Sequence, residues 1–316
     1  MTDNKKRLIS IVIPAYNEQD NIEELIRQLQ GVFATNSSYN FEAIIVENGS
    51  HDDSYEKLIA AHTRDPRFKI VQLARNFRMD GGLTAGLQYA SGDAAVIMTA
   101  DLQDPPELIT EFIKKWEEGY ENVYGIVTRR HGTGRLRRFN SQLFYFIANT
   151  ITGGMIPRNV SDFRLVDRKV YQAINIMKEH NRFIRGLFAW VGFKSIGIYH
   201  ERAPRFAGES GAHTFKVLEL ALKAIFAHTY IPLKMITLIG LALSALSFFL
   251  LVGLVVRTFL WGVPFPGFGT IMAVMLMMFG ILFTMLGIVA EYIGLIYEEV
   301  KNRPNYVVSR TVGLDD

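Results

Sequence analysis

The sequence predicts an α/β domain, a mostly parallel sheet with helices on both faces, followed by an interfacial helix and two membrane-spanning helices. Three observations predict it. Short apolar runs alternate with helical segments from Leu8 to Val127. Two long uncharged segments, Met235 to Val256 and Thr270 to Ala290, occupy the C-terminal third. The polar residues suited to chemistry fall just after the apolar runs, where open parallel sheets bind their ligands.

Leu8 to Ile13 is a continuous apolar run and reads as the first strand. Lys5, Lys6 and Arg7 precede it, but it is too short for a signal-peptide core and stops at Pro14 with no small-residue cleavage site. Asn21 to Phe33 then sets Ile22, Leu25, Ile26, Leu29, Val32 and Phe33 at helical spacing. Strands follow at Phe41 to Val46, Lys69 to Leu73, Ala94 to Met98 and Asn122 to Val127, with helices at Ser54 to His62, Gly82 to Ala90 and Pro106 to Glu118 between them. Such alternation implies a mostly parallel sheet with helices on both sides.

From Thr214 to Thr229, Phe215, Leu218, Leu222, Ile225 and Phe226 share one helical face and Lys216, Glu219 and Lys223 another, the pattern of a helix lying in the headgroup layer. The two uncharged segments are apolar all round, and each makes a helix of about 30 Å, enough to cross a bilayer. Lys216, Lys223 and Lys234 precede the first span and Lys301, Arg303 and Arg310 follow the second, whereas the connection holds only Arg257. This asymmetry places both termini on the cytoplasmic side of a cell (inner) membrane protein. The expected organisation is a sheet domain over 1–212, an amphipathic helix over 213–230, spans at about 232–257 and 269–296 within 231–300, and a cytoplasmic tail over 301–316. Exposed span faces suit a homo-oligomer, up to a tetramer.

The absence of cysteine excludes disulfides, thiolate metal sites and a Cys nucleophile. The net charge of +3 is mild, so what matters is where the basic residues cluster, at Arg129 to Arg138 and Arg182 to Arg205. These stretches lie beside membrane spans without an RNA-binding aromatic pattern, which argues for phosphate and lipid partners and against nucleic acid.

Candidate site residues follow each strand. Pro14, Tyr16 and Glu18 come after the first, Glu47 and Asp53 after the second, Arg75 after the third, Asp101 and Gln103 after the fourth, and Arg129 after the fifth. Acidic and amide groups with an aromatic suit a base and ribose, and arginines suit phosphates. Ordinary turn and cap chemistry explains any one loop alone, with Asn17 or Asp53 as a cap. On an extended backbone residues two apart point the same way, so Asp101 and Gln103 offer oxygens to one point, a site for Mg²⁺ or Mn²⁺, which completes its shell with water and substrate phosphates. Asp104, before Pro105 and with Glu107 three residues on, reads as the cap of the following helix.

Val12-Ile-Pro-Ala-Tyr-Asn-Glu18, Arg75-Asn-Phe77, Ala100-Asp-Leu-Gln-Asp-Pro-Pro-Glu107, Asp162-Phe-Arg-Leu165 and Asn181-Arg-Phe-Ile-Arg-Gly-Leu-Phe-Ala-Trp190 together resemble the polyprenyl-phosphate glycosyltransferases, the dolichol-phosphate mannose synthase-like branch of glycosyltransferase family 2. The resemblance extends to the paired C-terminal spans and the closing Arg303-Pro304-Asn-Tyr306. It implies a GT-A catalytic domain that moves a sugar from a nucleotide sugar to a membrane polyprenyl phosphate, with inversion. It further implies that Arg129, Arg137 and Ser141 hold the acceptor phosphate, that Arg182 and Arg202 belong to the substrate-binding set, and that Asp162 orients the sugar or acts as a base. The family usually has Asp where this chain has Glu47, and Asp-Ala-Asp where this chain has Thr99, so the resemblance supports metal binding through Asp101 and Gln103 only. Glucose from UDP-glucose is the expected donor, ahead of GDP-mannose and UDP-linked modified sugars. A nucleotide-sugar-binding membrane scaffold without turnover is the rival from another class.

Overall fold

The computed structural model describes residues 6–130, 160–179, 182–203, 231–262 and 267–314. The chain forms two compact units, one comprising Met1–His213 with Arg303–Asp316 and the other Thr214–Asn302.

The first unit is built on an eight-stranded sheet: β1 (Leu8–Ala15), β2 (Asn40–Glu47), β3 (Phe68–Leu73), β4 (Ala94–Ile97), β5 (Asn122–Arg130), β6 (Val160–Asp167), β7 (Ser195–Arg202) and β8 (Val308–Val312), in the order β7-β5-β6-β4-β1-β2-β3-β8. β1 pairs in parallel with β2 and β4, β2 with β3, and β5 with β7. β6 runs antiparallel between β4 and β5, and β8 antiparallel against β3. The five predicted strands are all present, each within a few residues of its expected limits.

Alternate residues of the central strands enter separate cores. Ile9, Ile11 and Ile13 of β1 join Ala43 and Ile45 of β2 beneath α1 (Ile22–Thr35), α2 (Ser54–Arg64) and α4 (Ile109–Glu117). Val12, Ala95 and Ile97 face the other way, onto α3 (Arg78–Tyr89), α5 (Arg168–Ile176) and α6 (Ile184–Trp190). Burial on both faces is why these strands read as unbroken apolar runs. α3 lies close enough to the sheet that a Cβ at Gly86 would come within 2.3 Å of Val12 Cγ1, so the packing requires glycine there.

The segment expected as a tail is instead part of this sheet. Ala74 N–H donates to the Val307 carbonyl (2.9 Å), β8 pairs along β3, and Tyr306 and Val308 pack over Ile44, Val46, Val71 and Leu73. The correction has a physical cause: β3 would otherwise leave an unpaired edge and an uncovered apolar face. A domain cut at residue 212 therefore lacks its edge strand. Ending the chain after Asn302 is expected to destabilise the sheet unit by on the order of 2–4 kcal/mol. That lowers its thermal unfolding midpoint by roughly 5–15 °C, and an unchanged midpoint would show β8 to be a passive appendage.

The second unit contains α7 (Ile231–Trp261) and α8 (Phe268–Val300), which carry apolar windows at Leu233–Leu250 and Met277–Val300 long enough to cross a membrane. Neither window is buried inside the fold, and large side chains such as Leu241 and Phe283 face outward. This is opposite to a soluble helical hairpin. The amphipathic segment expected over 213–230 lies outside the described residues.

Candidate active site

The first three strands end in loops that hold one another. Asn17 N–H donates to Ser50 Oγ (3.0 Å), and His51 N–H donates back to Asn17 Oδ1 (2.9 Å). Glu18 N–H donates to Ser54 Oγ and Gln19 N–H to Asp52 Oδ2. The second loop is tied to the third by buried Asn48, which accepts from Phe77 N–H and donates to the Arg78 carbonyl, both at 2.9 Å. Gly49 has a φ of +70°, and a Cβ there would lie 2.6 Å from the Arg75 backbone. Pro14, Tyr16, Glu18, Glu47, Asp53 and Arg75 are thus gathered on one edge.

Their individual surroundings differ. Tyr16 is partly exposed, edge-on to His51, and the Arg75 guanidinium lies over the Phe77 ring at 4.0 Å. Glu47 is buried and accepts from Ser50 N–H, so its carboxylate braces its own loop. Glu18 accepts from the Asn21 amide. Asp53 stands at the start of α2 without a side-chain cap bond; Asp52 accepts from Ser54 N–H instead, which leaves the Asp53 residue exposed. Asn17 likewise spends its side chain on the neighbouring loop and caps no helix.

After β4 the backbone does not stay extended. The strand ends at Ile97, Ala100 and Asp101 form a turn, and Leu102 has a φ of +54°. Asp101 Oδ1 accepts from Thr99 Oγ1–H (2.6 Å) and from Gln103 N–H (3.4 Å). Strand alternation therefore does not pair the Asp101 and Gln103 side chains as expected: a turn closed by the carboxylate itself replaces the strand. The Gln103 carbonyl accepts from Ala203 N–H (3.0 Å), which joins this turn to the end of β7. The donors here are hard oxygens. One carboxylate, at Asp101, with the amide of Gln103 two residues on is a donor set of the kind a cation uses when it binds through few protein oxygens and takes the rest from water and phosphates.

Asp104 is not a cap. The helical turn at Pro106–Leu108 starts from Pro105 without a side-chain bond. Asp104, 1% exposed, points into the interior, where Oδ1 meets His200 Nε2 (2.9 Å) and Arg202 Nε–H (3.1 Å) and Oδ2 accepts from Arg202 Nη2–H (2.7 Å) and Ser161 Oγ–H (3.2 Å). Charge-assisted bonds of this kind outweigh a surface cap. Burial pushes the Asp104 carboxyl up, and His200 and Arg202 more than reverse this, holding it below the usual carboxylate range. Arg202, expected to bind substrate phosphate, is thereby committed to Asp104 while also lying in the field of Asp101 and Asp162.

Asp162, near the start of β6, is gripped from both sides of its carboxylate by Arg185 Nε–H (2.9 Å) and Nη2–H (2.6 Å). Desolvation pushes its carboxyl up, but Arg185, with Arg164 and Arg202 farther off, holds it net below the ordinary value. Arg164 is buried over the Phe188 ring at 4.4 Å and donates to the Ser161 carbonyl; burial pulls its guanidinium down to about 10, still protonated at neutral pH. Arg182, the other arginine expected at substrate, is buried and donates to the Ile174 and Met177 carbonyls at the end of α5. It is a plug for a helix end, adding charged donors to carbonyls that no further turn of helix reaches. Arg185, three residues on, is the member of that basic stretch which reaches Asp162. Spacing in the chain did not distinguish the two. The backbone of Arg129 lies in β5 opposite Glu201; Arg137 and Ser141 lie outside the described residues.

Residues 10–174 match the model of glycosyl transferase family 2. The chain is 42% identical to an uncharacterized glycosyltransferase of Synechocystis sp. over 97% of this chain and 96% of that protein. It is 35% identical to the SfII prophage-derived bactoprenol glucosyl transferase of Shigella flexneri over 96% of this chain and 98% of that protein. Among solved structures, glucosyl-3-phosphoglycerate synthase from Mycobacterium tuberculosis is 20% identical with a TM-score of 0.49, covering 72% of this chain and 81% of that one.

Proposed function

Because this chain belongs to glycosyl transferase family 2 and is a polyprenyl-phosphate glycosyltransferase, we propose that it moves glucose from UDP-glucose to undecaprenyl phosphate, with inversion at the anomeric carbon. The observation that carries this reading is the span of the similarity: the bactoprenol glucosyl transferase of Shigella aligns with both the sheet unit and the two apolar helices. Bactoprenol is a polyprenyl alcohol, and its phosphate is an acceptor that sits in a bilayer.

Mg²⁺ or Mn²⁺, held by Asp101 with Gln103, would neutralise charge on the leaving diphosphate. The loops after β1 and β2 take the base and ribose through Pro14, Tyr16, Glu18 and Asp53, and Arg75 in the loop after β3 faces the phosphates. Arg129, Arg137 and Ser141 are assigned the acceptor phosphate. That phosphate has a second pKa near ~6 and is largely a dianion at neutral pH, so the nucleophile needs little help in losing a proton. Asp162 is a poor base in this setting, since Arg185 keeps it ionised well below the pH at which the phosphate titrates. Its role is to orient the sugar.

The chain leaves the sheet unit before α7 and rejoins it at Arg303. Two crossings would return the chain to the side it left. This supports a catalytic domain and both termini on one face of the membrane, and the flanking lysines and arginines favour the cytoplasmic face. Outward-facing apolar helices also leave room for self-association.

The test is transfer of labelled sugar to undecaprenyl phosphate in vesicles, with and without Mg²⁺ or Mn²⁺. Metal-dependent, lipid-dependent release of UDP from UDP-glucose is expected. A preference for GDP-mannose would replace the donor, and binding without turnover would make the protein a scaffold. In the same assay Asp162→Asn is expected to retain measurable turnover, with a pH–rate profile that still rises near ~6 as the lipid phosphate ionises. A loss recovered by raising pH would instead make Asp162 the base.

A further inference from the structure

Asp80 belongs to none of the motifs above, yet it lies half-buried beside them. It lies in the first turn of α3, just past the Arg75 loop, and its Oδ1 accepts from Ile184 N–H at 3.2 Å. Ile184 is the first residue of α6, a helix with no side-chain cap of its own. Its first-turn N–H groups need acceptors from elsewhere, and Asp80 supplies one from another element. The next residue is Arg185, whose two donors meet both oxygens of Asp162. Three elements are thus joined in sequence: α3 through Asp80, α6 through Ile184 and Arg185, and β6 through Asp162.

We infer that Asp80 is a positioning residue for the transfer: it fixes the first turn of α6 so that Arg185 holds Asp162 in place. The inference rests on the proposed role of Asp162 as the group that orients the sugar. The charged groups that act on Asp80 are Asp162 from β6 and Arg185 and Arg182 from α6 and the segment before it. Burial pushes the Asp80 carboxyl up to about 6; Asp162 adds to this, and the Ile184 N–H with Arg185 and Arg182 opposes it. A carboxylate held where its charge is disfavoured weakens the fold at neutral pH.

The experiment uses the full chain in vesicles, with UDP-glucose and undecaprenyl phosphate, and compares Asp80→Ala, Asp80→Asn, Arg185→Ala, Asp162→Asn and the Asp80→Ala/Arg185→Ala pair. Asp80→Ala is expected to lower kcat by at least about 10-fold with little change in the KM for the nucleotide sugar. Asp80→Asn keeps an acceptor for Ile184 N–H and should stay within about 3-fold of wild type. In the Arg185→Ala background, Asp80→Ala should cost less than about 2-fold more, because residues acting through one another are not additive. Asp80→Ala at the wild-type rate, Asp80→Asn as slow as Asp80→Ala, or full additivity with Arg185→Ala would each overturn the inference while Asp162→Asn and Arg185→Ala remain slow. If both of those are as fast as wild type, the role of Asp162 itself is wrong and the inference falls with it.

Discussion

Asp101→Asn is expected to lower turnover by roughly 10²- to 10³-fold while the protein remains folded. Asparagine keeps an oxygen to accept from Thr99 Oγ1–H and Gln103 N–H, so the turn after β4 can close as before. What it loses is the formal charge that a divalent cation needs from a site with few other protein donors. The rate should also respond more steeply to metal, since weaker binding leaves more sites empty at limiting Mg²⁺. Measuring transfer against Mg²⁺ concentration for both proteins decides the matter. Equal rates at limiting Mg²⁺ would remove Asp101 from the metal site.

Asp104→Ala is expected to destabilise the sheet unit by about 3–5 kcal/mol, because it strands the Arg202 guanidinium without its buried counter-charge and leaves His200 Nε2 without its partner. A helix cap would have cost only about 1 kcal/mol. For a domain of this size the larger figure corresponds to a fall in unfolding midpoint on the order of 10 °C at neutral pH. The sign of its pH dependence follows from the direction of the shift. A carboxyl held below its ordinary value contributes stability that is present above the usual carboxylate range and lost as pH falls through the lower, folded value. The gap between variant and wild type should therefore narrow in acid, below about pH 4. A neutral-pH loss near 1 kcal/mol would mean that the cluster adds nothing beyond a cap.

The two aspartates lie three residues apart and both follow one apolar strand, yet they do different work. Asp101 lies in the turn, at the edge where the proposed substrate binds. Asp104 faces inward, where β6 and β7 deliver Ser161, His200 and Arg202. The cluster also explains how the turn is held. Its carbonyl at Gln103 is bonded to Ala203, one residue past Arg202, so the anchor at Asp104 and the anchor at Gln103 reach the same strand end.

The parts legible in the sequence are those set by local period and length. The buried strands show as unbroken apolar runs because both their faces are covered, and the helix over Ile22–Thr35 shows because its buried side is spaced at one turn. The long uncharged segments announce helices that no protein core buries. The positions of the loops follow from the strands that end in them, so the edge carrying Tyr16, Glu47, Arg75 and Asp101 could be named before any coordinates.

Only the tertiary structure decided which charged groups are committed to one another. Asp104 meets Arg202 across 98 residues, Asp162 meets Arg185 across 23, and Asp80 reaches Ile184 across 104. Arg182 and Arg185 look alike in the chain, but one closes a helix end and the other holds a carboxylate. The same holds for Val308–Val312, too short and too polar to read as a strand until β3 offers it an edge. Apolar periodicity is a property of neighbouring residues and survives in the sequence. The partner of a buried charge is chosen by whichever distant element packs against it, and that choice exists only in the folded chain.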